Sequence, residues 1–429
     1  MKLLRSRKLR DLALDADLVH NVAALYGVQF VSYLLPLITI PYLTRVLGPA
    51  TWGLVAFSQA FGAYASLVVE YGFEYSATRE VAKNRDSKDI LSGLVAGVLG
   101  AKILLAVCVV GFAALAERWI PLFRQHAIFF WATMFWAMAQ AFSMVWYYQG
   151  FERMRFVAGL EISGRALAAA GIFILVHHPS DGWKVLALQG TGTLFSVIVA
   201  TVFVYREVPL RLPNGSLIWE TLRMGWNMFI FRGSLGLYST GNTFILGLFA
   251  PADAVGFFAG AERITRAFMG LLTPVHQSLY PRFSRLAKHD PPTAKRLARF
   301  TLLVMSAMGA VASVAVFLAA PWIVRIVLGK GFAPTVPVLR IMAALILLSA
   351  VSTMLGLLWM VPLGLDRAFS RIVFATGVLN ITLALILAPR FAQAGVACST
   401  VAAEVFAAVT LSTILHRQGL NPLAALRKE

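Results

Sequence analysis

Apolar residues run through this chain in stretches of about twenty or more, separated by short clusters of Gly, Pro, Lys, Arg, Asp and Asn. A helix rises about 1.5 Å per residue, so roughly twenty apolar residues cross the ~30 Å hydrocarbon layer of a membrane. The pattern predicts twelve spans, at about 20–44, 53–73, 91–115, 126–149, 156–177, 184–205, 224–249, 253–280, 300–320, 336–361, 368–388 and 394–415. Pro36 and Pro41 interrupt the first span. Proline in a membrane helix frees backbone groups and bends it, and this bend is either a gate hinge or a tolerated kink.

The segments between spans divide the chain further. Residues 1–19 mix Leu3, Leu4, Leu9, Leu12 and Leu18 with Lys2, Arg5, Arg7, Lys8 and Arg10. That is a basic amphipathic segment for the cytoplasmic leaflet, not a cleavable signal peptide. Residues 206–223 form the expected linker, with a turn at Pro213-Asn214-Gly215 and a short amphipathic stretch from Leu217 to Arg223. The predicted order is the basic N-terminus, a bundle over 20–205, the linker, a bundle over 224–415 and a cytoplasmic tail over 416–429.

A short repeat supports two bundles of equal size. Gly48-Pro49-Ala50-Thr51-Trp52-Gly53-Leu54-Val55-Ala56 resembles Ala250-Pro251-Ala252-Asp253-Ala254-Val255-Gly256-Phe257-Phe258-Ala259 with one insertion. Each closes one apolar span and opens the next. Six spans is an even number, so both halves would enter the membrane from the same side, with the substrate path between them.

Charge decides the orientation. Of the 38 Lys and Arg, 25 fall in the terminal segments and alternate loops that share one side, and seven on the other side. Both termini are therefore expected in the cytoplasm. The same distribution explains the formal net charge of +18 without nucleic acid, because the cations sit in loops as a topology signal. The composition agrees: 59% hydrophobic and 14% charged, against about 25% charged in soluble domains.

Six cations remain inside spans: Lys102, Arg165, Arg232, Arg263, Arg266 and Arg340. A cation at the bilayer centre costs about 2.5–3.5 kcal/mol on insertion scales, so such residues face a bundle interior or a wet cavity. Arg340 lies near a span end and can snorkel. The others make Arg232, Arg263, Arg266, Lys102 and Arg165 the candidate contacts for an anionic substrate in a central cationic cavity. The richest stretch is Gly225 to Pro281. There Arg232, Gly236, Ser239 and Thr243 share one helical stripe, and Glu262, Arg263 and Arg266 lie three or four residues apart. Two Arg against one Glu leaves a guanidinium for a ligand.

The acids at membrane depth are Glu161, Glu262 and Glu404, with Glu70 and Glu74 near the inner end of the second span; all five are candidates for charge pairing or for coupling to H+ or Na+. Glu161 and Arg165 are four apart and are expected to neutralise each other. Gln59, Ser66, Glu70 and Glu74 lie along one face of the second span, where the carboxylates either carry a proton or bind headgroups and cytoplasmic Arg. Lys102 has no acid on its own helix, so it either meets one from another helix or faces the cavity. Arg232 has no acid nearby in sequence. Cys108 and Cys398 lie within apolar runs and read as small core residues. His126, His177, His178 and His276 lack metal-ligand spacing. Trp131, Trp136, Trp146, Tyr147 and Tyr148 are expected in an interfacial belt and core, with sugar stacking as the alternative. Nucleotide loops, H-E-x-x-H and G-x-S-x-G are absent from the sequence, so the expectation is a transporter without cofactor or metal, not an enzyme.

Several motifs resemble a known family. They are Asn21 to Tyr26, Leu35 to Leu43, Arg45-Val46-Leu47-Gly48-Pro49 with Trp52-Gly53, Gly72 to Ala82, Trp146 to Glu152, and Val327 to Phe332 followed by Ala333-Pro334. Together they resemble the Wzx-type flippases, polysaccharide-export members of the multidrug/oligosaccharidyl-lipid/polysaccharide (MOP) superfamily. The resemblance implies an all-α, MATE-like fold of twelve helices that alternates between inward- and outward-open states. It implies transport of undecaprenyl-diphosphate-linked oligosaccharide from the cytoplasmic to the periplasmic leaflet of the bacterial inner membrane. Membrane lipids, a polysaccharide polymerase and a chain-length regulator are the partners it suggests, with no nucleic acid. A drug or organic-cation antiporter of the same fold would want an acidic cavity. A membrane polymerase would want a large outer loop, and a scaffold of the assembly machinery would not need charges at membrane depth.

Overall fold

Gly48 marks where the first helical run turns. Its φ is 70°, a left-handed value that suits a residue without Cβ, and the run over 38–70 (α1) bends there between two expected spans. The structure is a computed structural model that describes residues 35 and 38–423. The basic N-terminal segment, most of the first span, Pro36 and residues 424–429 lie outside the described residues. Pro41 lies inside α1.

The described residues form helices and connecting turns, with no strand among them. After α1 come α2 (Phe73–Lys83), α3 (Lys88–Ala116), α4 (Pro121–Gln125), α5 (Ala127–Ala141), α6 (Val145–Gly150), α7 (Met154–Leu175) and α8 (Gly182–Glu207). Then follow α9 (Gly215–Phe249), α10 (Ala252–Gly270), α11 (Thr273–His289), α12 (Pro291–Val327), α13 (Thr335–Thr353) and α14 (Asp366–Arg417). Eight helical runs among the described residues are long and apolar enough to cross a membrane, so this is a multi-pass membrane protein. Several of these runs contain breaks: the first turns at Gly48 and again at Tyr71 and Gly72, the run over 127–150 at Phe142 to Met144, and α14 at Ala392, where φ is 45° and ψ −129°. The break at Ala392 falls between the spans expected at 368–388 and 394–415.

Some boundaries differ from the sequence pattern for local reasons. The expected span 126–149 divides into α5 and α6 around Phe142 to Met144. The expected span 253–280 divides at Leu271 and Leu272, and its second part continues as the amphipathic α11. The stretch 217–223 of the expected linker is the first two turns of α9, because nothing after Gly215 interrupts the helix. A π-helical turn over Met354–Met360 follows α13.

The chain forms two compact units. One comprises residues 61–233 with the described residues up to Val46, and the other comprises 47–60 with the chain from Ser234 onward. In the first unit α7 packs on α8, α8 on α5 and α2 on α6. Its core gathers Phe73, Leu91, Met144, Trp146, Tyr147 and Tyr148. In the second unit α13 packs on α10, α12 and α14, with Phe283, Met305, Leu358, Trp359 and Leu411 in the core. Residues 47–60 thus group with the second unit, where the sequence pattern had placed all of 20–205 in one bundle.

The two copies of the short repeat meet inside the second unit. A Cβ on Gly53 would lie 1.7 Å from the Ala252 carbonyl oxygen, and one on Gly256 would lie 2.1 Å from the Pro49 carbonyl oxygen. The backbones of α1 and α10 therefore touch at reciprocal glycines, as small residues allow helices to do in lipid. Gly53→Val should destabilise the unit by at least about 1–3 kcal/mol, the range for overpacking, because only backbone lies in the way. The expected readout is loss of monodisperse protein after extraction; an unchanged elution profile and melting temperature would show that the two helices do not touch here.

Candidate functional site

In the first unit, α9 presents Arg232 to two carboxylates. Its Nη1 lies 3.0 Å from Glu70 Oε2 and also pairs with Glu74 Oε2, and the guanidinium stands 5.7 Å from the Tyr75 ring centroid. Glu70 ends α1 and Glu74 begins α2, so the turn at Tyr71 and Gly72 sets both acids around one cation. Lys102 of α3 is 2% exposed, donates from Nζ to the Ser143 backbone carbonyl at 3.2 Å, and interacts electrostatically with Glu70 and Glu74. Two cations and two anions offset one another here. Acids from two other helices lie within electrostatic range of Lys102, without an ion pair to either among the described residues. The expectation that Arg232 lacks an acid is corrected: its partners stand 158 and 162 positions earlier in the chain, beyond the reach of any helical periodicity.

In the second unit, α10 carries the adjacent Glu262 and Arg263, with Arg266 one turn further on. Arg266 pairs with Glu262 at 2.7 Å, and Glu262 also accepts from the Thr243 hydroxyl of α9 at 3.0 Å. Arg263 donates to Gln59 Oε1 at 2.5 Å and lies over the Trp52 ring, 4.3 Å from its centroid. It forms no ion pair among the described residues. Gln59 and Trp52 hold the guanidinium by a neutral hydrogen bond and a π face, and neither offsets its charge. Of the three membrane-depth Arg in the Gly225 to Pro281 stretch, Arg263 is the one without a carboxylate within ion-pair distance among the described residues.

Beside this cluster lies a neutral polar network that the sequence reading missed. Asn380 donates to Asn242 Oδ1 at 3.0 Å, Asn242 donates to the Thr400 hydroxyl at 2.9 Å, and the Ser399 hydroxyl donates to Asn380 Oδ1 at 3.3 Å. The network ties α9 to both parts of α14, and Asn380 and Ser399 are fully buried. A buried amide without a partner is costly, so a lone Asn in an apolar run is itself a sign of such a link. Neighbouring charges drew attention away from it.

Glu161 and Arg165 form the expected pair at 3.5 Å on α7, at the edge of a crevice lined also by Gln140, Ser143, Thr193 and Ser196. Glu404 is half-buried on α14. Gly236 and Ser239 of the polar stripe lie among side chains outside the described set. Arg340 stands 5.5 Å from the Phe317 ring at the exposed surface. Trp146, Tyr147 and Tyr148 are buried in the core, with no open ring face for a sugar, while Trp131 is exposed. Cys108 and Cys398 are both exposed, which corrects their assignment to the core. An apolar run in a membrane helix does not separate its lipid face from its packed face, because both are apolar. No group of metal-ligating side chains occurs among the described residues.

The helices and their order match those of MOP-superfamily transporters. A structure described as an inward-facing multidrug resistance MATE family transporter of the MOP superfamily aligns over 92% of this chain and 100% of its own, with a TM-score of 0.61 at 13% identity. A structure of the lipid II flippase MurJ in an inward closed conformation aligns over 93% of this chain and 87% of its own, with a TM-score of 0.63 at 12% identity. At these identities the likeness establishes the fold.

Sequence comparison narrows the class. The chain belongs to the polysaccharide biosynthesis protein family, which matches residues 18–287. It is 33% identical over 393 residues to a protein of Escherichia coli (strain K12) named "Putative O-antigen transporter", covering 90% of this chain and 94% of the relative. A Shigella dysenteriae protein of the same name is 26% identical over 390 residues, covering 90% and 96%. These relatives carry the names of transporters, not of enzymes.

Proposed function

We propose that this protein is a flippase that moves lipid-linked oligosaccharide across the bacterial inner membrane for O-antigen or related polysaccharide assembly. The substrate class is supported by the two relatives named putative O-antigen transporters, 33% and 26% identical to this chain, and the carrier we propose is undecaprenyl diphosphate. The observation that carries the reading is Arg263, a guanidinium on a membrane helix held by Gln59 and Trp52 and paired with no carboxylate among the described residues. A diphosphate loses costly hydration on leaving water, and Arg donors replace it with charge-assisted hydrogen bonds while the lipid tail stays in the bilayer. Both termini would be cytoplasmic, and alternating access would carry the headgroup outward. Glu70, Glu74, Glu161, Glu262 and Glu404 are the groups through which H+ or Na+ would couple. A polymerase and a chain-length regulator would receive the product.

The test is translocation of a fluorescent polyprenyl-diphosphate oligosaccharide in proteoliposomes, with and without a pH or sodium gradient. Transport of the labelled lipid is the expected result, and a rate that follows one gradient names the coupling ion. Folded protein that moves none of several glycan-bearing lipids would overturn the assignment.

A further inference from the structure

Among the described residues, four of the nine inner-side cations of the first unit make ion pairs, and Lys88, Arg155, Arg206, Arg211 and Arg223 do not; in the basic stretch of the second unit none of six does. In the first unit Arg79 and Lys83 pair with Glu80, Arg85 with Glu152 at 2.6 Å, and Arg153 with Glu207. In the second unit residues 282–299 hold Arg282, Arg285, Lys288, Lys295, Arg296 and Arg299 with one acid, Asp290. None of these six cations makes an ion pair among the described residues. Asp290 is engaged as the N-cap of α12, accepting from the Thr293 amide at 3.1 Å. Its hydrogen bonds with Thr293 hold its carboxyl below the usual carboxylate range.

The corner also has a defined orientation. α11 packs Leu279, Phe283 and Leu286 into the core, while Arg282, Arg285 and Lys288 are exposed at three-residue spacing. On α12, Arg296 and Arg299 stand one turn before Phe300 and Leu303, which are 66% and 54% exposed. Residues four apart share a face about 6 Å along the axis. Cation and exposed apolar side chain are thus stacked as headgroup phosphate and acyl chain are in a leaflet.

We propose that α11 and the first turns of α12 form a binding surface for anionic phospholipid, with Arg282, Arg285, Lys288, Arg296 and Arg299 on headgroup phosphates and the acyl chains along Phe300 and Leu303. The surface lies on the side that the charge count assigns to the cytoplasm. Clusters of four to eight Lys or Arg beside a membrane helix attract anionic lipid at about 1 kcal/mol per charge. Here no carboxylate among the described residues lies within ion-pair distance of them, and Asp290, which acts on Arg296 electrostatically, is engaged with Thr293. The proposal stands apart from Arg263 and from the transported substrate.

The test is native mass spectrometry of the full chain in detergent, titrated with phosphatidylglycerol and with phosphatidylcholine of the same acyl chains. Wild type should retain phosphatidylglycerol preferentially, and each of Arg285→Gln and Arg296→Gln should weaken that binding by about fivefold. The combined Arg282→Gln/Arg285→Gln/Lys288→Gln/Arg296→Gln/Arg299→Gln variant should lose the preference. Arg79→Gln/Lys83→Gln, whose cations are already paired, should keep it. Circular dichroism and elution volume check each fold, and the single exposed substitutions remain informative if the combined variant does not fold. Equal retention of the two lipids by wild type, or an undiminished preference in the single variants, would overturn the proposal. So would displacement of phosphatidylglycerol by equimolar polyprenyl-diphosphate oligosaccharide, which would make the corner a substrate entry.

Discussion

Arg263→Ala should reduce transport of lipid-linked oligosaccharide by about 100-fold and leave the protein folded, because a hydrogen bond to a charged group contributes about 1.5–3 kcal/mol. Removing the guanidinium takes one donor from Gln59 Oε1 and a stacked cation from Trp52 but separates no ion pair among the described residues, so little stability should be lost. Arg263→Lys should restore only part of the rate: an ammonium keeps the charge but not the planar fork or the stacking on Trp52. Gln59→Ala should fall between wild type and Arg263→Ala, since it loosens the guanidinium without removing it. Initial rates in proteoliposomes, with circular dichroism on the same preparations, separate these outcomes. Unchanged transport by Arg263→Ala would exclude this residue from the substrate path.

Arg232 should behave differently. Arg232→Ala leaves Glu70 and Glu74 close together with Lys102 as their remaining cation. Removing one partner of a buried ion pair costs about 3–5 kcal/mol, and the quarter exposure of Arg232 and Glu70 places the effect near the lower end. The melting temperature of the purified protein should drop by several degrees. Glu74→Gln/Arg232→Gln should recover most of it, because one anion, Glu70, and one cation, Lys102, then remain to offset each other. If this double variant is stable and still transports, Arg232 serves packing alone. If it is stable and inactive, the charges serve transport. A wild-type melting temperature in Arg232→Ala would mean that the cluster contributes nothing to the first unit.

The contrast between these two arginines shows what the chain reveals directly. Hydropathy located α3, α7, α8 and α13 within a few residues, because a membrane helix must satisfy its own backbone and so follows its apolar run. Charge counting singled out the six cations at membrane depth. Local spacing paired Arg165 with Glu161 and Arg266 with Glu262, each four residues apart. Which arginine would lack a carboxylate was not legible. Arg232 has partners on other helices, and Arg263 stacks on Trp52, more than two hundred positions earlier. Asn242 and Asn380 were overlooked because a neutral amide in an apolar run carries little weight beside a charge. The exposed faces of Cys108 and Cys398 were misread because lipid, unlike water, leaves no polar mark on the residues it touches.

The crossing of Gly53 and Gly256 also imposes a schedule on biosynthesis. The earlier glycine enters the membrane about two hundred residues before its counterpart exists, and translation at ~5–20 residues per second makes that a delay of about 10–40 s. Throughout that interval the α1 segment from 47 to 60 has no α10 to lie against, and lipid or the insertion machinery must cover its glycine face. A ribosome stalled within the stretch before Ala252 would leave a nascent chain with that face open. The half-made transporter is therefore the form most exposed to membrane quality control.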